Sequence, residues 1–178
     1  MTDTMISQMS KMQNIMPEEL LISIDKIYLE HLRKASRSAA GAELDEVCLI
    51  EFIKFFRLAT TFPLSKIQIS REIDLVWHAA ILETKQYRNL NETLNNGNFL
   101  DHSVLDSESG LKYHSIDAEQ DDFDVVLNYF HQFGEFTKNS LEFWPQALKI
   151  CERNMINCSN LNKILSAAID DALNSGKL

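Results

Sequence analysis

Apolar residues recur at intervals of three and four along most of this chain, and glycine and proline, of which it has five and three, seldom interrupt them. This spacing places apolar side chains on one side of an α-helix, whereas a half-buried strand needs a period of two. The first such pattern extends from Glu18 to about Lys34, and residues 36–41 break it. The second, from Glu43 to Thr60, has so many apolar positions that its helix is expected to be buried on most sides. The sequence therefore predicts an all-α fold.

The middle of the chain is predicted to form two more helices after a connector. Residues 62–69 read as extended, with strand confined at most to a short piece from Ile67 to Ile69. Ser70 is a suitable N-cap for the next helix, because its side chain can accept a hydrogen bond from a free backbone N–H. A further helix is predicted over residues 84–94, and Asn95-Asn96-Gly97 after it suits a left-handed stop.

The last third of the chain adds three helices. One is predicted to begin at Asp117 and to end at Gly134. Two closing helices follow the rigid corner Trp144-Pro145. Residues 103–116 are polar and irregular, so we expect a mobile loop there.

No internal repeat or strong linker divides the chain, so we expect a single-domain bundle of about six to seven helices over residues 16–178. At 178 residues the chain is long enough to bury a core without disulfides. Residues 1–15 carry four of the six methionines, and we expect them to be a flexible N-terminal arm.

The formal net charge of −9 disfavours nucleic acid as a partner, because binding to phosphates needs clustered lysine and arginine. A basic protein would suit this charge better. The three cysteines form no Cys-x-x-Cys pair, and neither a secretory signal nor an apolar run of about 20 residues that could span a bilayer is visible. We therefore expect a cytoplasmic protein that does not enter a membrane.

Chemistry is suggested in one place, the segment Asp74-x-x-Trp77-His78. At helical spacing these three side chains share one face of a helix. The face can be a functional site, or it can be a core seam in which Asp74 orients a buried His78. His31, His114 and His131 have no partner at a diagnostic spacing, and His31 is expected on the exposed side of the first helix.

Four segments in order resemble the glycine-rich domain-containing-protein-like family, whose small bacterial members lack a settled activity. They are Glu51 to Ala59, Asp74 to Tyr87, Gly97 to His102, and Phe133-Gly134 with Trp144-Pro145. The resemblance covers roughly residues 43 to 146 and implies an all-helical bundle. Family members tend to have histidine where this chain has Ala80 and Asp101.

The resemblance also implies a metal or catalytic set of histidines, of which this chain keeps two. A catalytic zinc needs three protein ligands, and His78 and His102 with Asp74 or Asp101 would supply them. The substitution at Ala80 removes at least one ligand, so the set would be degenerate. The same residues are otherwise a hydrogen-bonded structural network.

Two functions of different classes therefore remain. The first is a non-enzymatic protein-binding module, such as a small acidic adaptor, inhibitor or immunity-type protein, in which the histidine set is degenerate. The alternative is an enzyme of unknown substrate that depends on a divalent metal ion bound by His78 and His102. In either case we expect Phe52, Phe56, Trp77 and Tyr87 to be buried together as structural core.

Overall fold

A computed structural model describes residues 21, 24–60, 62, 66–95, 97–101 and 118–175. Of these residues 76% are helical and none lies in a strand, so the predicted all-α class is confirmed. This part of the chain contains eight helices: α1 (Lys26–Ala40), α2 (Asp45–Leu58), α3 (Arg71–Leu82), α4 (Thr84–Leu94), α5 (Ala118–Phe133), α6 (Lys138–Leu141), α7 (Pro145–Asn154) and α8 (Cys158–Asn174). The number exceeds the predicted six to seven because α6 is a single turn, too short to show a hydrophobic period.

The start of α1 is fixed by its N-cap, Asp25. The Asp25 side chain accepts hydrogen bonds from the backbone N–H groups of Ile27 and Tyr28, at 3.0 and 3.1 Å. Of the segment that we predicted to be helical from Glu18 onward, residues 18–20, 22 and 23 lie outside the described residues.

Helix α1 continues through most of the predicted break at residues 36–41, so that prediction was wrong. The helix continues to Ala40 and stops at Gly41, whose φ of +80° is a conformation that glycine adopts without strain. Ser36, which looked like a break, is buried and donates its hydroxyl to the Asp45 carbonyl of α2. A contact between two helices therefore outweighs the weak local preference of serine against helix.

Helix α2 is the centre of the bundle. It packs against α1, α3, α5 and α6, and ten of its 14 residues are buried. This is the physical reason for the crowded apolar pattern of residues 43–60, since a helix with neighbours on all sides cannot have a polar face.

The described residues of the connector before α3, residues 62 and 66–69, form no strand, and Gln146 holds residues 66–68 in place. The Gln146 side chain accepts from the N–H of Gln68 and donates to the carbonyl of Lys66, both at 3.0 Å. Ser70 caps α3 as predicted, accepting from the N–H of Ile73 at 3.3 Å. The left-handed residue after α4 is Gly97, with φ of +79°.

The second half of the chain packs α5 against α7 and α8. Gly134 ends α5 in the left-handed region, as its position predicts. Asn162 of α8 is buried and bonds both backbone groups of Phe136, accepting from its N–H at 3.0 Å and donating to its carbonyl at 2.9 Å. This amide replaces the backbone partners that an irregular buried segment would otherwise lack.

The buried apolar side chains of the two halves form one connected core. No helix among the described residues combines the length and apolar content of a membrane span. The predicted N-terminal arm, residues 1–15, and the predicted mobile loop, residues 103–116, lie outside the described residues. The predicted single domain over residues 16–178 stays a prediction.

Candidate functional site

Helix α3 carries the Asp74-x-x-Trp77-His78 segment, and its two sides differ in their exposure to solvent. Ile73, Val76, Trp77 and Ala80 are buried against the core. The opposite side, here called the outer face of α3, consists of Arg71, Leu75, His78 and Leu82, all exposed. Leu75 is 43% exposed and Leu82 is 79% exposed. Since these positions are spaced by four, three and four, they form one continuous stripe along the helix.

Asp74 and His78 lie together, but at the surface. His78 Nδ1 lies 2.8 Å from the Asp74 carbonyl oxygen and 3.4 Å from Asp74 Oδ2. The two side chains are 50% and 38% exposed. The interpretation in which Asp74 orients a buried His78 inside the core was therefore wrong, because Trp77, one residue earlier, takes the position that faces the core.

Trp77 connects α3 to α4 and to the segment that follows α4. Its indole Nε1 donates to Tyr87 Oη at 2.8 Å, and Tyr87 Oη donates to the Leu100 carbonyl at 2.5 Å. Burial raises the pKa of Tyr87, which keeps its hydroxyl protonated and able to donate. The structure thus brings together two of the segments on which the family resemblance rests.

Asn91 fixes the backbone of the same segment. Its side chain accepts from the N–H of Leu100 and donates to the carbonyl of Tyr87, both at 2.7 Å. Asp101 follows Leu100 and is exposed. Buried hydrogen bonds therefore set the path of the chain up to Asp101.

Only some of the predicted metal ligands lie among the described residues. Asp74 and His78 are neighbours and Asp101 is at the surface, while His102 lies outside the described residues. In the described part of the chain no three His, Cys, Asp or Glu side chains are grouped as metal ligands. A metal site that includes His102 stays a prediction.

The C-terminal end of α3 is held by side chains of α1. Tyr28 Oη donates to the Ala80 carbonyl at 3.1 Å, and His31 Nε2 lies 3.0 Å from the Ala79 carbonyl oxygen. His31 is therefore half-buried between helices, not on the exposed side of α1 as expected. Ala80 is fully buried. A histidine at this position, which the resemblance to the family implies for its members, would have to fit beneath α1.

The four predicted core residues, Phe52, Phe56, Trp77 and Tyr87, are all at most 3% exposed. The rings of Phe52 and Phe56 are 5.7 Å apart, and those of Phe56 and Tyr87 are 5.8 Å apart, each pair edge to face. Such pairs stabilise a core beyond the area that they bury.

Sequence reasoning missed a buried polar cluster, here called the Glu51 cluster, of Glu51, Lys54, Tyr129 and Trp144. Lys54 Nζ lies 2.9 Å from Glu51 Oε1 and 2.8 Å from Tyr129 Oη. Glu51 Oε2 accepts from Tyr129 Oη at 2.9 Å and from Trp144 Nε1 at 2.8 Å. The available signal was a Glu and a Lys three residues apart inside the apolar pattern of residues 43–60, which predicts a helix buried on most sides.

The chemistry of the Glu51 cluster is that of a closed structural network. Burial and the neighbouring Glu51 carboxylate both raise the pKa of Tyr129 well above its usual range, so the hydroxyl donates and does not ionise. Because the four side chains bond to one another and are buried, the cluster can fix α2 against α5.

An open groove runs between α1 and α4. It contains two adjoining cavities, of about 510 and 490 Å³, that share Tyr28 and Gln86. Ile27 on its rim is 82% exposed. The groove is lined by two lysines and by four carboxylates, Asp25, Glu30, Glu83 and Glu92, so its charge is mixed with an acidic excess.

Comparison of the chain with protein-family models, curated proteins and solved structures finds no match. The resemblance to the glycine-rich domain-containing-protein-like family therefore stays a prediction, carried by the segments named above.

Proposed function

We propose that this protein is a non-enzymatic protein-binding module that contacts its partner through the outer face of α3. The observation that carries the proposal is the exposure of two leucines on one stripe, opposite the buried side of the same helix. Leu75 and Leu82 are seven residues apart, which is about 10 Å along a helix axis. Two leucines seven residues apart can occupy equivalent heptad positions, through which one helix packs against another.

The charge of the chain supports a basic partner. A formal charge of −9 repels nucleic acid and steers basic protein surfaces toward the module. We propose the role of a small acidic adaptor, inhibitor or immunity-type protein in the cytoplasm.

The test uses the wild type and two variants as baits. It compares the proteins that each bait captures from a lysate of the cells in which this protein naturally occurs. Leu75→Asp/Leu82→Asp places carboxylates on the outer face. Leu173→Asp is the matched control, since Leu173 of α8 is also exposed, at 57%. We expect one partner, in stoichiometric amount, with the wild type and with Leu173→Asp but not with the double variant. Equal recovery by all three proteins would contradict the proposal.

A metal measurement separates the proposal from its alternative, the metal-dependent enzyme. His78→Gln keeps hydrogen-bonding ability but is a poor metal ligand. We expect the purified protein to contain no stoichiometric zinc, iron or manganese, and His78→Gln to stay folded. Stoichiometric metal in the wild type that disappears in His78→Gln would favour the enzyme instead.

A further inference from the structure

The charges beside the outer face of α3 point to a class of partner, an inference that rests on the function proposed above. Glu72 and Asp74 are half-exposed and occupy the two edges of the stripe, because Glu72 precedes Leu75 by three residues and Asp74 precedes His78 by four. Glu83 follows the last turn and is exposed. Arg71 is the one cation of the stripe itself. Leu75 therefore lies between the carboxylates of Glu72 and Asp74, and Leu82 is followed directly by the carboxylate of Glu83.

We infer that the outer face of α3 binds a basic amphipathic helix, with leucine-like residues against Leu75 and Leu82 and with lysine or arginine along both edges. An apolar stripe bordered by carboxylates is the complement of an apolar stripe bordered by cations. An acidic helix would bring like charges together at Glu72, Asp74 and Glu83. A second copy of this chain would face the same repulsion, because its own stripe has the same edges.

The direct test uses a synthetic helical peptide of leucine and lysine in heptad order, about 18 residues long, or five helical turns. Two control peptides are measured beside it. One is a leucine–glutamate peptide with the same leucine positions, and the other is a scrambled leucine–lysine peptide of equal charge. Binding to the purified full chain is measured by isothermal titration calorimetry, and circular dichroism of each variant checks that its helices are intact.

We expect saturable binding of the leucine–lysine peptide, weakened about tenfold or more in Leu75→Asp/Leu82→Asp and unchanged in Leu173→Asp. The loss is diagnostic because the double variant is more negative than the wild type and would otherwise attract the peptide more strongly. Asp74→Asn should weaken binding about two- to fivefold, the range of an exposed ion pair.

Absence of saturable binding, or equal binding of the scrambled peptide, would overturn the inference. Equal affinity for the double variant would do so too, since the peptide would then be held by the general negative charge of the chain. Preference for the leucine–glutamate peptide, lost in the double variant, would overturn the basic class of partner while leaving the proposed protein-binding function intact.

Discussion

At the scale of single residues, neighbours in sequence have opposite roles. Trp77 is 3% exposed and joined to Tyr87, whereas His78 lies at the surface beside Asp74. A turn of about 100° per residue separates them around the helix. The rare Asp-x-x-Trp-His run is therefore one buried structural residue and two surface residues.

Trp77→Ala should lower the free energy of unfolding by about 3–5 kcal/mol, as large-to-small changes in a packed core do. The matched variant His78→Gln, one residue away and exposed, should change it by less than about 0.5 kcal/mol. Urea denaturation followed by circular dichroism measures both. A loss below about 1 kcal/mol for Trp77→Ala would contradict the buried position.

In the Glu51 cluster, we expect one substitution to lower the free energy of unfolding more than three substitutions made together. Glu51→Leu leaves the Lys54 ammonium buried without its counter-charge, which should cost about 3–5 kcal/mol. Glu51→Leu/Lys54→Met/Tyr129→Phe removes the charge and the phenol together and should recover part of that loss, because an apolar replacement of a buried ion pair is often neutral. The recovery is partial since the buried Trp144 N–H loses its acceptor, Glu51 Oε2. Urea denaturation of both variants gives the comparison. A triple variant less stable than Glu51→Leu would show that the cluster stabilises the fold beyond cancelling its own desolvation.

At the scale of helices, buried side-chain groups substitute for backbone partners where helices end. Tyr28 and His31 of α1 contact the last carbonyls of α3, and Asn91 of α4 satisfies Leu100. Asn162 of α8 does the same for Phe136 between α5 and α6. Such contacts fix where one helix lies on another, which apolar packing alone does less sharply.

Asn162→Ala should therefore destabilise the protein by about 1–3 kcal/mol, because it leaves the Phe136 N–H unpaired, while the Phe136 carbonyl keeps the Cys158 thiol as a donor at 3.1 Å. Asn160→Ala is the control: Asn160 lies two residues earlier on the same helix and is exposed. Thermal unfolding monitored by circular dichroism compares the two. Equal melting temperatures would show that another group, such as water, satisfies Phe136 in the variant.

At the scale of the whole molecule, α2 joins two sets of helices. It packs against α1 and α3 on one side and against α5 and α6 on the other. Its aromatic residues and the Glu51 cluster lie at this junction, and α3 is left with one side facing solvent. The outer face of α3 is thus a consequence of how the helices are arranged around α2.

The stability of the molecule should fall in mild acid, and His131 should contribute to this. Burial lowers the pKa of His131 below its ordinary 6.5, outweighing the favourable position of a cation in the last turn of α5. Between the folded and the unfolded pKa the unfolded chain binds more protons, so the free energy of unfolding decreases as pH falls. The contribution is fully present above the unfolded pKa and is lost as pH falls through the folded value.

The measurement is the urea midpoint of the wild type and of His131→Gln at about pH 7.5 and pH 5.5, above the range where most carboxylates titrate. We expect the midpoint of the wild type to fall more between the two pH values than that of the variant. An equal fall in both proteins would assign the acid sensitivity to other groups.

The periodicity of the sequence by itself determined the all-α class, the burial of α2, and most helix ends after residue 60, because caps such as Ser70 and Gly134 act on their immediate neighbours. Tertiary contacts decided the rest. Ser36 stays helical because Asp45 accepts its hydroxyl, and Glu51 with Lys54 can be buried only because Tyr129 and Trp144, more than 70 residues away, meet them. The same holds for the candidate site: spacing put Asp74, Trp77 and His78 on one helix, but only the packing of α3 on α1 and α2 decided that Trp77 faces the core and that Leu75, His78 and Leu82 face solvent.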